Sequence, residues 1–179
     1  LILPFFNPRE VEKFRPSSEQ LCHDLIDRFI AKGSADAAVD YAQQIPPRVI
    51  AAMLGIDPNR GDDFTEWTRG ILELGQTQPE LRTKYRKIIR EFFAELVVER
   101  RQNPGDDMVS KLIASEIEGE PLNDHTIIGM CNLLLVAGID TTWSSIGSAL
   151  WHFAGHADDR RRLAGEPDLF PTAIEEMLR

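Results

Sequence analysis

Cysteine is scarce in this chain: Cys22 and Cys131 are the only two in 179 residues. They lie far apart without a Cys-x-x-Cys pattern, so no disulfide framework or sulfur-rich zinc site is signalled, and a reducing cytoplasm fits best. Positive charge is also short. Against 29 acidic residues stand 20 basic ones, a net charge of −9, which argues against a nucleic-acid surface. The densest basic stretch, 82–101, is interrupted by Glu91, Glu95 and Glu99 and reads as a solvated helix face. Long apolar runs are missing too. The most apolar one, 127–139, is 13 residues, below the ~20 that a membrane span needs. No signal peptide, internal repeat or low-complexity tract is visible. Strand signals are thin, with Ala37–Tyr41 the one modest candidate.

What is present is helical patterning, and 42% hydrophobic residues suffice for one sizeable core. The chain opens at Leu1 rather than Met and stops inside a helical pattern. Residues 1–179 are therefore expected to be a single incomplete domain, mainly α, with at most minor strand content. Ser17-Ser18-Glu19-Gln20 reads as a helix start capped by Ser17, followed by Leu21, Leu25 and Phe29 at helical spacing, with Gly33 as the stop. Pro46-Pro47 opens a segment through Leu54. A turn at Asn59-Arg60-Gly61-Asp62 precedes a helix through Phe64, Trp67 and Ile71 that frays near Gly70 and Gly75. Pro79 begins a long helix with a stripe from Leu81 to Val97, ended by Asn103-Pro104-Gly105. Asp107 caps a short helix, and Gly119-Glu120-Pro121 turns the chain into a central helix of about 123–153.

That central helix is apolar nearly all round, so it should be buried, and the polar residues in its middle need partners or a cavity. Asp140, Thr141 and Thr142 sit there, preceded by Ala137 and Gly138, which are small enough to let a flat group approach the backbone. Ala137 and Thr141, four apart, share a face; Asp140 is turned about 100° away in an ideal helix. Thr141 can bond the carbonyl of Ala137 and open the helix locally. A buried helix whose hydroxyls simply bond back to the preceding turn gives the same pattern without a function.

Ala137-Gly138-Ile139-Asp140-Thr141-Thr142, followed by Glu176-Met177-Leu178-Arg179, resembles the oxygen-activating helix and the Glu-x-x-Arg helix of bacterial cytochromes P-450, the heme-thiolate monooxygenases. Phe5-Phe6-Asn7-Pro8, Pro46-Pro47-Arg48-Val49-Ile50, Gly105-Asp106-Asp107-Met108-Val109-Ser110 and Leu133-Leu134-Leu135-Val136 extend the likeness over most of the chain, in the same order. The resemblance implies heme against Ala137, Gly138 and Thr141, and a small organic substrate near Leu133, Val136 and Ala137. It further implies that Thr141 orients dioxygen while Asp140 relays protons. Glu176 and Arg179 would be structural, although such a pair can equally be a surface contact. Electrons would come from NAD(P)H through a ferredoxin-type or fused reductase partner. Neither Cys22 nor Cys131 suits the iron, so the ligand is expected beyond Arg179, and the fragment alone is expected to be inactive.

Other signals have blander readings beside the functional ones. His152 and His156 have the spacing of a zinc helix but lack its glutamate. Asp62-Asp63-Phe64-Thr65-Glu66 is similar to the magnesium motif of terpenoid synthases, the alternative enzyme class, yet it also suits a helix N-terminus. Trp67 and Trp143 are core or pocket aromatics, and 69–81 is a candidate mobile lid. A non-catalytic helical interaction module is the third reading.

Overall fold

The computed structural model describes residues 2–179. A short 3-10 turn leads into α1 (Pro8–Glu12), whose cap Asn7 accepts the backbone N–H groups of Arg9 and Glu10 at 3.0 and 3.1 Å. Helix α2 (Arg15–Ile30) starts ahead of the serines, because Arg15-Pro16 already supplies a proline in the first turn. Ser17 does not cap it; its hydroxyl donates to the Phe14 carbonyl, and Gln20 donates to Asp24. Residues Ala37–Tyr41 are not a strand but a π-helical turn. The physical reason is Asp36, whose carboxylate accepts from Ala38 and Val39 as a helix cap does.

Helix α3 (Ile45–Met53) carries its prolines in the first turn, as the sequence predicts. Helix α4 (Gly61–Leu72) runs through Gly70 without fraying and is followed by a single turn, α5 (Leu74–Thr77). Helix α6 (Pro79–Gln102) buries Tyr85, Ile89, Phe93 and Val97, a spacing of four that places one stripe against α4 and the central helix. Phe64, Trp67 and Phe92 fill the α4–α6 contact with ring centroids 5.3 to 5.9 Å apart. Burying each such large apolar side chain contributes about 1.5–3 kcal/mol.

Asp107 caps α7 (Met108–Ile113) through the Ser110 N–H at 2.8 Å. A two-stranded hairpin, β1 (Glu116–Ile117) with β2 (Glu120–Pro121), turns at Glu118 and Gly119, both at positive φ. That is the geometry a two-residue hairpin prefers and the reason a glycine stands there.

The central helix is α8 (Asp124–Gly155), 32 residues long and capped by Asn123. Contrary to the expectation drawn from the short apolar run, it is long and apolar enough to cross a membrane by length and composition, with a mean hydropathy of 1.4 over its best window. Core helices pass the same criterion, and α8 packs on α3, α4, α6 and α7. It is not buried all round: Ile127, Cys131, Leu134, Leu135, Ile139 and Trp143 face the core, and the opposite side is open. Beyond it, α9 (Ala157–Gly165) and α10 (Phe170–Met177) fold back against its C-terminal end, with no fully buried residue in either.

Candidate functional site

The open side of α8 is a continuous line. Gly129, Leu133, Ala137, Thr141, Ser144, Ser148 and Trp151 are all exposed, at steps of three or four residues that keep them on one face of the rod. Small side chains dominate its middle, so the helix backbone there is accessible to a flat partner. Leu133 is 56% exposed, unusual for a leucine in the middle of the longest helix.

Thr141 stands at the centre of this line, and its hydroxyl donates to the Ala137 carbonyl at 2.7 Å. Ser145 repeats the arrangement, donating to the Thr141 carbonyl at 2.8 Å. The helix stays α-helical throughout, so the expected local opening does not occur. A hydroxyl inside any helix bonds back in this way; what distinguishes Thr141 is its place on the open line. Asp140 lies at the border between the buried and the open faces, half-exposed.

Gly138 is placed differently from its neighbours. It turns towards α3, where a Cβ would lie 3.0 Å from Cδ1 of Ile50. Its smallness thus serves the α3–α8 crossing rather than the open face. Val136 leans on the core, half-buried, whereas Leu133 and Ala137 stay on the outer line. The structure brings together Leu133, Ala137 and Thr141, places Asp140 and Val136 at their flanks, and turns Gly138 away.

Glu176 and Arg179 form an exposed i,i+3 pair at 3.0 Å. Glu176 also lines a cleft of about 630 Å³ between the end of α8, α9 and α10, with Ser148, His152, Phe153, Leu163 and Met177 among its walls. This cleft does not include Ala137 or Thr141; the central line is an open face rather than a cavity.

Neither cysteine lies on that face. Cys131 is in the core, where burial, with Asp107 adding to it, pushes its thiol up to about 12. Cys22 is half-buried on α2 beside Tyr41. The face therefore fits one side of a planar heme, with small residues under the ring and one hydroxyl, while an axial thiolate is supplied by neither Cys22 nor Cys131.

The other candidates have ordinary partners. His152 and His156 stack at 4.1 Å, His152 Nε2 lies 3.0 Å from Asp159, and His156 Nδ1 contacts the His152 carbonyl. Among the described residues no group of three or more His, Cys, Asp or Glu is arranged to hold a metal. Asp62 pairs with Arg48, Asp63 with Arg60, and Glu66 accepts from Tyr85, so the acidic run is divided among three separate partners. Trp67 and Trp143 are both core.

Sequence reasoning missed one polar junction. Arg100, at the end of α6, donates to Asp107 at 2.8 Å and to the Gly55 carbonyl at 2.6 Å, tying the α3–α4 connection to the start of α7. Both charged side chains are nearly buried. The Gly105-Asp106-Asp107 motif was visible, but no local pattern points from it to Gly55.

A long helix with one face in the core and a small-residue, hydroxyl-bearing face left open accords with the family resemblance of the sequence. Comparison with known proteins agrees. No family model matches, but over 179 residues the chain is 35% identical to cytochrome P-450 107B1 of Saccharopolyspora erythraea, covering all of this chain and 44% of that protein. It is 30% identical to the mycinamicin IV hydroxylase/epoxidase of Micromonospora griseorubida, covering 45% of it. The solved structure of the Bacillus subtilis polyketide synthase cytochrome P-450 PksS superposes with a TM-score of 0.90 at 31% identity, covering 98% of this chain and 45% of that one. The chain belongs to the bacterial cytochromes P-450. It spans less than half the length of the curated relatives it matches.

Proposed function

We propose that these residues form the oxygen-handling part of a cytoplasmic cytochrome P-450 monooxygenase that oxidises a small organic substrate. The observation that carries this reading is the exposed line Leu133, Ala137, Thr141 on a helix whose other face is buried from Ile127 to Trp143. Heme, held against Ala137 and Thr141, would supply the iron chemistry that activates dioxygen, with electrons from NAD(P)H through a ferredoxin-type or fused reductase. Neither Cys22 nor Cys131 stands on the open face to provide a thiolate for that iron.

The chain's own contribution is shape and protons. The Ala137 methyl group lets a ring plane lie close to α8, and Leu133 with Val136 offers apolar surface to the substrate beside it. Thr141 rests with its hydroxyl on the Ala137 carbonyl. Rotation about its side chain frees that hydroxyl to hydrogen-bond an oxygen or water above the face. Asp140, next along the helix and in contact with solvent, takes protons from water and hands them towards Thr141. A proton donor placed in this way decides whether reduced oxygen is used or escapes as peroxide. Glu176, in the last turn of α10, and Arg179, just beyond it, are paired and act structurally, the planar guanidinium anchoring neighbouring polypeptide.

Replacing Thr141 by Ala in the heme-loaded enzyme tests the proton role. NAD(P)H consumption is expected to continue while product falls and hydrogen peroxide rises. Unchanged product per NAD(P)H would overturn it.

A further inference from the structure

Glycines at 70 and 75 and a proline at 79 predict a loose connection between α4 and α6. The structure clasps it instead. Tyr85, 8% exposed on α6, lies across α4 at Gly70, where any Cβ would overlap its ring. Its hydroxyl donates to Glu66 Oε1 at 2.8 Å, one turn earlier on α4. Arg82, one turn before Tyr85, closes over Gly75: a Cβ at Gly75 would sit 2.8 Å from Cβ of Arg82. The tip between the helices has little burial of its own. Gly75 is its one buried residue, and Leu74 is 43% exposed.

We propose that Glu66 and Tyr85 form a latch that holds residues 72–80 against the base of α4 and α6, so that the tip opens only when the Tyr85 ring leaves the Gly70 notch. A phenol donating to a carboxylate belongs to the stronger class of hydrogen bonds, and the same bond raises the Tyr85 pKa above its ordinary value. Besides the Arg69–Glu73 pair and the packing of Leu72 and Leu81 against the core, this bond and the notch join α4 to α6 beneath the tip. Local opening of such a segment is independent of global unfolding when the core is untouched. The latch concerns this chain's own packing and stands apart from the monooxygenase reading.

Hydrogen exchange of the protein with Tyr85→Phe, Glu66→Ala and both together tests it. Tyr85→Phe keeps the ring in place, and Glu66 is exposed, so its removal leaves the core intact. Amides of residues 72–80 are expected to exchange about tenfold faster in each single variant, the scale of one lost charge-assisted bond. The double variant is expected to be no faster than either single one, and amides on the buried side of α8 are expected to be unchanged. Unaltered exchange in the tip, additive effects in the double variant, or equal acceleration in α8 would overturn the latch.

Discussion

The two faces of α8 meet at a run of three leucines and do opposite things. Ile127, Leu134, Leu135, Ile139 and Trp143 lock into helices α3, α4, α6 and α7, whereas Leu133, Ala137 and Thr141, interleaved with them in sequence, face outward. Composition alone does not separate them, since Leu133, Leu134 and Leu135 are consecutive. What separates them is the helical period against a bundle that covers one side. An apolar side chain left open beside two that are buried marks a surface meant to be covered by something else.

The largest contrast is expected in stability. Leu135→Ala, in the fully buried stripe, should cost about 2–5 kcal/mol by chemical denaturation, while Leu133→Ala should stay within about 0.5 kcal/mol. Equal costs would erase the distinction between the faces. Gly138→Val is expected to fall between, at about 1–3 kcal/mol, because the added atoms meet Ile50 across the α3–α8 crossing. A neutral outcome would show that α3 can give way, and Gly138 would return to the open face. The smallest effect sharpens the same comparison chemically. Cys131, with its thiol raised to about 12, holds almost no thiolate at pH 8 and should resist alkylation until the protein unfolds. Labelling of native Cys131 as fast as a free thiol would contradict its placement in the core.

Much of this was legible before the structure. Helices α3, α6, α7 and α8 follow from proline in a first turn, a four-residue apolar period, and the cap Asp107, all local signals. The failures share a cause. Ala37–Tyr41 reads as a strand by residue type, yet the single carboxylate of Asp36 bends it into a helical turn. Gly70 reads as a helix breaker, but its missing side chain makes room for Tyr85, a partner that no local pattern names. Gly138 reads as part of the cofactor-facing set because it adjoins Ala137, and only the position of Ile50 shows which way it turns. Asp140 and Thr141, proposed to handle protons, stand out in the sequence as a motif; that Thr141 rests on the Ala137 carbonyl within an unbroken helix required the structure.

The most direct test of the open face is heme binding by Ala137→Trp in protein that also carries the axial thiolate. An indole at position 137 would occupy the space over the backbone while pointing away from the core. The account predicts that bound heme and its Soret absorbance are lost while the unfolding stability of the heme-free protein changes by no more than about 0.5 kcal/mol. Full heme occupancy with an unaltered Soret band would contradict it.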